Sequence, residues 1–241
     1  MNRAAALFFD LNGTLLDLSR LRDAVAHTCA DIAARQPGFA AAQLLESNSQ
    51  VWQAYWPEVE RRWTLGQLDD GAVGLEAWKR ALRACGCYDD SVARMARETH
   101  RRHTRELTRA FDDVQDCFAW LSDISLPLAI ITNGASGSQR DGLGILGNEH
   151  RISAVVISGE VHVAKPDPAI FAIAIEKLGV KPEDVWHVGD SLTEDVAGAR
   201  SAGLTGIWLN RAGIVRTEQQ PTADREIRSL TELVDLLQDV S

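Results

Sequence analysis

The amino-acid sequence predicts an α/β protein with a doubly wound parallel sheet and an inserted helical domain. Three observations support this fold class. Five short apolar runs are closed by small or polar residues, and continuous apolar runs are typical of strands buried on both faces. Helical patterns alternate with the later runs, which is the order that builds a doubly wound sheet. Residues 18–112 contain no convincing strand and interrupt that order after the first run.

Four of the five predicted strands end in residues suited to chemistry. The strands are AAALFFD (4–10), LPLAIITNG (126–134), SAVVISG (153–159), DVWHVGD (184–190) and LTGIWLN (204–210). The endings are Asp10, Thr132-Asn133, Ser158-Gly159 and Gly189-Asp190. In an open parallel sheet the carboxyl ends of the strands share one edge, where ligands bind. The sequence therefore predicts a polar site at that edge.

Helix signals fill the intervals between the later strands. Residues 114–122 form one apolar helical pattern, and residues 193–203 form another. Asp167-Pro168 is typical of a helix start, with Gly179 as the stop. Residues 229–239 predict a final amphipathic helix with its leucines on one side.

The helix after the second strand is predicted to be weak. Gly142 and Gly144 fall inside SQRDGLGILG (138–147), and each costs a helix about 1 kcal/mol relative to alanine. We therefore expect this helix to be short or poorly ordered.

The long interruption predicts a separate helical domain. Trp52, Trp56, Val59 and Trp63 follow a helical spacing, and such an aromatic stripe is more typical of a core than of a ligand surface. The predicted division is a core domain of residues 1–17 plus 113–241 and a helical domain of residues 18–112.

The composition limits the function classes. The formal net charge is −9 over 241 residues, so neither nucleic acid nor a membrane surface is expected as a main partner. No apolar run approaches membrane-spanning length, and residues 1–20 lack a signal-peptide pattern. The four cysteines have no disulfide-scaffold spacing, which favours a reduced, cytoplasmic protein. Nothing in the sequence indicates an oligomeric state.

The polar strand endings together suit phosphoryl transfer. Asp10 and Asp190 offer two converging carboxylates, which Mg²⁺ prefers as ligands. Thr132 and Asn133 bring a hydroxyl and an amide, and Lys165 in Lys-Pro-Asp-Pro brings a positive charge. Fixed donors and cations of this kind meet the charge that spreads over a phosphoryl group.

Four motifs in order resemble the haloacid dehalogenase (HAD) superfamily, in particular members with a helical cap after the first strand. FFDLNGTLLD resembles the first motif, DxDGT, and ITNG resembles the second. Lys165 in VAKPDPAIF resembles the third motif, and GDSLTED (189–195) resembles the fourth. The set spans essentially the whole predicted core. The resemblance implies an HAD-like Rossmannoid fold, with residues 18–112 as the cap that closes over the substrate.

The resemblance also implies a role for each motif residue. The catalytic residues would be Asp10 as nucleophile, Asn12, Thr132 and Lys165. The phosphoryl group of a small phosphorylated metabolite would be bound by Thr132, Asn133 and Lys165. The cofactor Mg²⁺ would be held by Asp10, Asp190 and the backbone carbonyl of Asn12, with Asp195 and Glu194 in support.

Asn12 departs from the family pattern. Family phosphatases have aspartate at this position, where it protonates the leaving group and later deprotonates water. Asparagine donates hydrogen bonds but does not titrate, and loss of a general acid–base typically costs about 10²–10⁴-fold in rate. The sequence thus predicts a slowed phosphatase.

Two other functions stay open at this point. A dehalogenase needs no acid, because halide leaves without a proton, but family dehalogenases lack the Gly-Asp metal ligand that Gly189-Asp190 provides. A phosphonate-cleaving enzyme would need a cap lysine, and Lys79 is the only one in residues 18–112. The further alternative is a non-catalytic protein that binds a phosphorylated ligand or a partner.

Overall fold

The computed structural model describes residues 4–147 and 151–239, and a parallel sheet lies at its centre. In chain order the strands are β1 (Ala6–Phe9), β2 (Leu16–Asp17), β3 (Arg109–Ala110), β4 (Leu128–Thr132), β5 (Ala154–Ile157), β6 (Val185–Gly189), β7 (Thr205–Leu209) and β8 (Arg225–Ile227). Six of them form one sheet in the order β5-β4-β1-β6-β7-β8, and every neighbouring pair is parallel. The predicted doubly wound α/β fold is confirmed.

Helices flank the sheet and fill its long interruption. They are α1 (Leu21–Arg35), α2 (Ala41–Thr64), α3 (Asp70–Ala84), α4 (Asp90–Leu107), α5 (Val114–Asp123), α6 (Ser136–Leu146), α7 (Ser158–Val161), α8 (Pro168–Leu178), α9 (Gly198–Ser201) and α10 (Leu230–Asp239). A 3₁₀ turn covers Pro182–Asp184, and a π-helical segment covers Leu192–Ala197. Among the described residues, no helix combines the length and the apolar composition needed to cross a bilayer.

The sheet is buried on both faces, as its continuous apolar strands predict. Successive side chains of a strand point to opposite faces. Leu7 and Phe9 of β1 accordingly pack in one cluster with Phe118 of α5. Phe8 packs on the other face with Phe171 of α8. This two-sided burial is what holds the carboxyl ends of β1, β4 and β6 in one row.

All five predicted strands occur, and three short strands were missed. β2 and β3 have two residues each, and β8 has three, of which Arg225 and Glu226 are exposed. Segments this short carry no periodic apolar signal, so the sequence alone does not predict them. β2 and β3 pair antiparallel, which brings the two ends of the interruption to one place.

The four helices α1–α4, here called the four-helix insertion, lie between β2 and β3. Arg211, beyond β7, supports the point where the insertion joins the sheet. Its guanidinium binds the Asp113 carboxylate at 2.8 and 2.9 Å and donates to the Thr14 carbonyl at 3.0 Å. It also lies 4.0 Å over the ring of Phe111. One arginine thus connects both joining segments to the edge of the sheet.

The aromatic stripe of α2 is only partly a core feature. Val59 is buried with Tyr55, but Trp52, Trp56 and Trp63 are only half-buried at the margin of that cluster. The prediction of a core stripe therefore holds for Val59 and only in part for the three tryptophans, which pack against the cluster without being fully buried. Helical spacing identifies a shared face but not how completely a neighbouring element covers it.

The expectation of a short or poorly ordered helix after β4 is wrong, since α6 runs over 11 residues. A Cβ added at Gly142 would lie 3.0 Å from a methyl group of Leu16 and 3.4 Å from one of Leu11. Gly142 therefore lets α6 approach the segment after β1. Close tertiary packing outweighs the low helix propensity of glycine here.

Gly142 and Gly144 of α6 predict different responses to alanine. Gly144 has no atom within 4 Å of an added Cβ, so Gly144→Ala should raise the free energy of unfolding by about 1 kcal/mol. Gly142→Ala should gain less or lose stability, because its Cβ meets Leu16. Urea denaturation of the two variants checks this, and equal gains would contradict the packing role of Gly142.

Candidate active site

Asp10 lies at the carboxyl end of β1, and its two carboxylate oxygens have different surroundings. The backbone N–H of Asp10 donates to the Val188 carbonyl of β6 at 2.9 Å, which fixes the residue between two strands. Oδ1 accepts a hydrogen bond from Lys165 Nζ at 2.7 Å. Oδ2 is buried and has no hydrogen-bond partner among the described residues. A buried polar atom without a partner is costly, so Oδ2 is available for a ligand.

Lys165 is buried between two carboxylates. Its Nζ donates to Asp10 Oδ1 and, at 2.6 Å, to Asp195 Oδ1. Burial alone would lower the pKa of Lys165, but the two carboxylates outweigh it and raise the pKa above its usual value. The lysine is therefore a permanent cation in the centre of the site.

Asp195 is held on both of its oxygens. Oδ1 accepts from Lys165 and lies 3.1 Å from His187 Nε2, while Oδ2 accepts from the Ser191 N–H at 3.0 Å. Burial would raise the pKa of Asp195, but Lys165 and His187 hold it well below its usual range. Burial lowers the pKa of His187, so this histidine is a neutral donor to Asp195.

Asp10 and Asp190 have raised pKa values in the structure without a ligand. Burial, together with the negative charges of Asp195 and Asp190, raises the pKa of Asp10 to about 7 despite Lys165. Loss of water around Asp190, together with the charge of Asp195, raises its pKa to about 6, although the side chain stays exposed at the surface. Both carboxylates would therefore be stabilised by an added cation.

Two glycines allow the carboxylates to approach the backbone. Gly13 has φ +84°, and an added Cβ would lie 2.5 Å from Asp190 Oδ2. At Gly189 an added Cβ would lie 2.2 Å from the Asp195 carboxyl carbon. Only glycine leaves room at these points, so the loops after β1 and β6 can close around one small volume.

The donors around this volume fit a hard divalent cation. Asp10, Asp190 and Asp195 each offer an oxygen, and these atoms lie within 4.8 Å of one another. Both oxygens of Asp195 already have partners, so Asp10 Oδ2 and the exposed Asp190 are the open ligands. An all-oxygen donor set with solvent access suits Mg²⁺, which keeps several waters.

Asn12 and Thr132 meet through a residue that the sequence did not predict. Gln139, in the first turn of α6, accepts from Asn12 Nδ2 at 3.0 Å and from Thr132 Oγ1 at 2.9 Å. Thr132 and Gln139 are buried. Gln139 therefore sets the orientation of the Asn12 amide.

Asn133 connects the loop after β4 to two other loops. Its Oδ1 accepts from the Lys165 N–H at 2.9 Å, and its Nδ2 donates to the Lys165 carbonyl at 2.9 Å. Nδ2 also donates to Glu194 Oε2 at 3.1 Å. Burial raises the pKa of Glu194, and Lys165 opposes that rise while Asp195 and Glu60 add to it. Asn133 is thus a positioning residue for the segment that carries Lys165.

All six residues singled out by the sequence lie around this edge of the sheet. Asp10 contacts Lys165 directly, and Asp190 lies near Asp10. Asn133 forms hydrogen bonds to the backbone of Lys165. Thr132 is connected to Asn12 only through Gln139. Gln139 and His187 were missed as members of the site. A single sequence does not show in which direction a polar side chain within a helix or strand points.

Lys79, which was considered from the sequence, lies elsewhere, and so does His162. His162 Nδ1 lies 2.8 Å from the Leu65 carbonyl at the end of α2, so it contacts the four-helix insertion. Lys79 pairs with Asp90 at 2.6 Å within that insertion.

Comparison with known proteins identifies the family. The model of the haloacid dehalogenase-like hydrolase family matches residues 4–203, which is most of the chain. The chain belongs to this family, and it is a hydrolase. The phosphoserine phosphatase of Thermus thermophilus is 36% identical over 170 residues, which cover 68% of each chain. Matches to several further curated phosphatases span only 52% to 58% of those proteins.

Solved structures of haloacid dehalogenase-like proteins share the whole architecture. An HAD phosphatase from Thermococcus onnurineus is 28% identical, covers 98% of each chain and has a TM-score of 0.66. A 2-haloacid dehalogenase from Pseudomonas syringae pv. Tomato is 25% identical, covers 100% of each chain and has a TM-score of 0.69. Overall shape therefore does not separate phosphatase from dehalogenase within this family.

The buried cation of this haloacid dehalogenase-like hydrolase is expected to dominate its stability. Lys165→Met leaves Asp10 and Asp195 without their partner, and breaking a buried pair costs about 3–5 kcal/mol. In the variant the buried carboxylates of Asp10 and Asp195 have no cation beside them, so their pKa values rise and they take up protons as pH falls, which relieves part of the loss. The difference between parent and variant should therefore shrink from pH 7.5 to pH 5.

Urea unfolding in EDTA at the two pH values measures that difference. Lys181→Met, at an exposed lysine, is the control and should change little. A Lys165→Met loss that is the same at both pH values would contradict the electrostatic origin.

Proposed function

We propose that this hydrolase is a Mg²⁺-dependent phosphomonoesterase that acts through an aspartyl phosphate on Asp10 and is slowed by Asn12. One observation carries the proposal. Asp10 Oδ1 is held by Lys165, while Oδ2 is buried without a partner beside the exposed carboxylate of Asp190. A carboxylate with one fixed and one free oxygen is oriented for nucleophilic attack.

Asp10, Asp190 and the backbone carbonyl of Asn12 would hold Mg²⁺. When bound, the ion would neutralise negative charge on the phosphoryl oxygens. Lys165 supplies a second, permanent positive charge on the same side as Asp10. Thr132 and Asn133 lie at the carboxyl end of β4. They are the proposed donors to the remaining phosphoryl oxygens, for which Thr132 Oγ1 would exchange Gln139, and Asn133 Nδ2 would exchange Glu194, for the phosphoryl group.

The reaction has two steps on Asp10. Its carboxylate oxygen forms a bond to phosphorus as the ester oxygen leaves with the bonding electrons. Water then attacks the phosphorus of the aspartyl phosphate, which releases phosphate and restores Asp10. The departing alkoxide needs a proton in the first step, and the attacking water must lose one in the second.

Asn12 does not supply either proton transfer. Its amide has no titratable group, and Gln139 holds its Nδ2 at 3.0 Å. Esters with acidic leaving groups, such as aryl or acyl phosphates, need little protonation. They are therefore the substrates that the natural chain should hydrolyse best.

Two facts favour a phosphatase over a dehalogenase. Asp190 stands where it can share a cation with Asp10, and the T. thermophilus and T. onnurineus relatives are phosphatases by name. Lys79 is paired with Asp90 inside the insertion, which disfavours phosphonate cleavage.

A small phosphorylated metabolite in the cytoplasm is the proposed substrate. Residues 18–112 form the proposed cap over a core of residues 1–17 and 113–241.

Asn12→Asp should restore the missing acid and base. We expect kcat/KM for alkyl phosphates to rise about 10²–10⁴-fold, with a much smaller rise for aryl phosphates. Mg²⁺-dependent phosphate release from both substrate types measures the change. The double variant Asp10→Asn, Asn12→Asp is the control and should stay inactive.

The same assay separates the alternatives. No gain on any ester from Asn12→Asp would show that the missing acid is not what limits the rate. Chloride release from 2-chloropropionate without metal would favour a dehalogenase. Phosphate binding without turnover by either version would favour a non-catalytic role.

Mg²⁺ binding should strengthen as pH rises from 5.5 to 7.5. A carboxyl group whose pKa is raised by folding binds its proton more tightly in the folded protein than in the unfolded chain. It therefore adds to the free energy of unfolding at low pH, and this contribution is lost as pH rises through the folded-state pKa. With pKa values of about 7 for Asp10 and about 6 for Asp190, protons compete with the cation below pH 6. The Tm increase caused by Mg²⁺ should therefore be small at pH 5.5 and large at pH 7.5.

Differential scanning fluorimetry with and without Mg²⁺ measures this increase. Asp190→Asn should abolish it, while Asp116→Asn, at an exposed aspartate of α5, should leave it unchanged. A Tm increase that does not depend on pH would argue against these carboxylates as ligands.

A further inference from the structure

The end of α2 docks beside the proposed phosphate site. Ser158 Oγ donates to the Thr64 carbonyl at 2.7 Å and accepts from the Gly134 N–H at 2.9 Å. Gly134 follows Thr132 and Asn133 directly. An added Cβ at Gly134 would lie 3.0 Å from Cη2 of Trp63. The indole of Trp63 therefore covers the backbone next to the proposed phosphoryl donors.

Trp63 is a fixed part of an aromatic wall. Its Nε1 donates to Asp70 Oδ1 at 2.8 Å, which sets the plane of the ring. Trp56 packs edge-on against it with ring centroids 5.3 Å apart, and Trp52 continues the row at 5.9 Å from Trp56. All three side chains are half-buried, so each keeps part of its surface open to solvent.

Glu60 lies on the same side of α2 as this wall. At about 100° per residue, Glu60 falls within roughly 60° of both Trp56 and Trp63. It is exposed, and its negative charge makes a small contribution to the raised pKa of Glu194. Because Trp63 packs on Gly134, the side of α2 that carries Trp63 and Glu60 lies next to the loop after β4.

The basic residues of this part of α2 point elsewhere. Arg61 and Arg62 are exposed, and each lies about 100° or more round the helix from Glu60 and from Trp63. The surface next to the phosphoryl site thus combines indole rings with a carboxylate and carries no arginine from this turn. Indole faces and carboxylates both attract cations, whereas they disfavour a second anionic group.

We infer that Trp63 and Glu60 select phosphomonoesters whose leaving group carries a cationic nitrogen. The inference rests on the proposed phosphatase function, and it names the substrate class that the function leaves open. The phosphate would lie at Asp10, and the cation would lie between the Trp63 indole and the Glu60 carboxylate.

A pair of isosteric esters tests this selection. Phosphocholine and 3,3-dimethylbutyl phosphate have nearly the same shape, and only the first carries a positive charge. With the Asn12→Asp version and Mg²⁺, kcat/KM for phosphocholine should exceed that for the neutral ester about 10-fold, which is the scale of one desolvated cation–π contact. Calorimetry on the inactive Asp10→Asn version should give a lower Kd for phosphocholine than for the neutral ester.

Two variants connect the preference to the named residues. Glu60→Gln, at an exposed site, should bring the ratio of the two esters most of the way to one, and Trp63→Leu should lower it too. Glu46→Gln is the matched control, because Glu46 is an exposed acid of the same helix, about 21 Å away at 1.5 Å per residue. It should leave the ratio unchanged.

The possible failures are distinguishable. Equal turnover and equal binding of the two esters, or a ratio that Glu60→Gln does not change, overturns the inference and leaves the phosphatase proposal intact. Absence of turnover of any ester, with tighter binding of phosphocholine that Glu60→Gln removes, supports cation selection and overturns the phosphatase proposal instead.

Discussion

The site depends on one buried ammonium group placed between two carboxylates. Lys165 Nζ lies 2.7 Å from Asp10 and 2.6 Å from Asp195, and a buried charge is tolerated only when it is paired. Each partner comes from a different strand end, so the pairing brings three loops together. The pKa shifts of Lys165 and Asp195 follow from this contact, whereas burial raises the pKa of Asp10 against it. The contact leaves Asp10 with one free oxygen.

The free oxygen of Asp10 and the amide of Asn12 have different roles in the proposed chemistry. In the proposed reaction Asp10 would be the nucleophile, and Asp190 is placed to share a cation with it. Asn12 would stand next to that nucleophile, but Gln139 holds its amide nitrogen, and an amide does not titrate. The proposed phosphatase therefore lacks one ionisable group, the one that would transfer protons.

The four-helix insertion contacts the core at the end of α2 and along α6, where Arg101 and Arg105 bind Asp141. Its chain leaves and returns through the β2–β3 pair, which Arg211 and Asp113 support. At its other end, the Thr64 and Leu65 carbonyls meet Ser158 and His162 of the core. This contact places Trp63 over Gly134. The side of α2 that faces the core therefore determines the chemistry of the insertion's inner surface. That side carries aromatic and acidic side chains.

The sequence by itself determined five of the eight described strands, most of the helices and most of the polar residues at the site. Continuous apolar runs and their polar endings suffice, since burial on both faces and exposure at one edge are local consequences of a parallel sheet. The tertiary structure alone decided that Gln139 joins Asn12 to Thr132, that Gly142 packs on Leu16 and that the α2 tryptophans stay half-buried. These outcomes depend on contacts between residues far apart in the chain. The partner residues meet only in the folded protein, so neither hydrophobic periodicity nor secondary-structure propensity predicts these contacts.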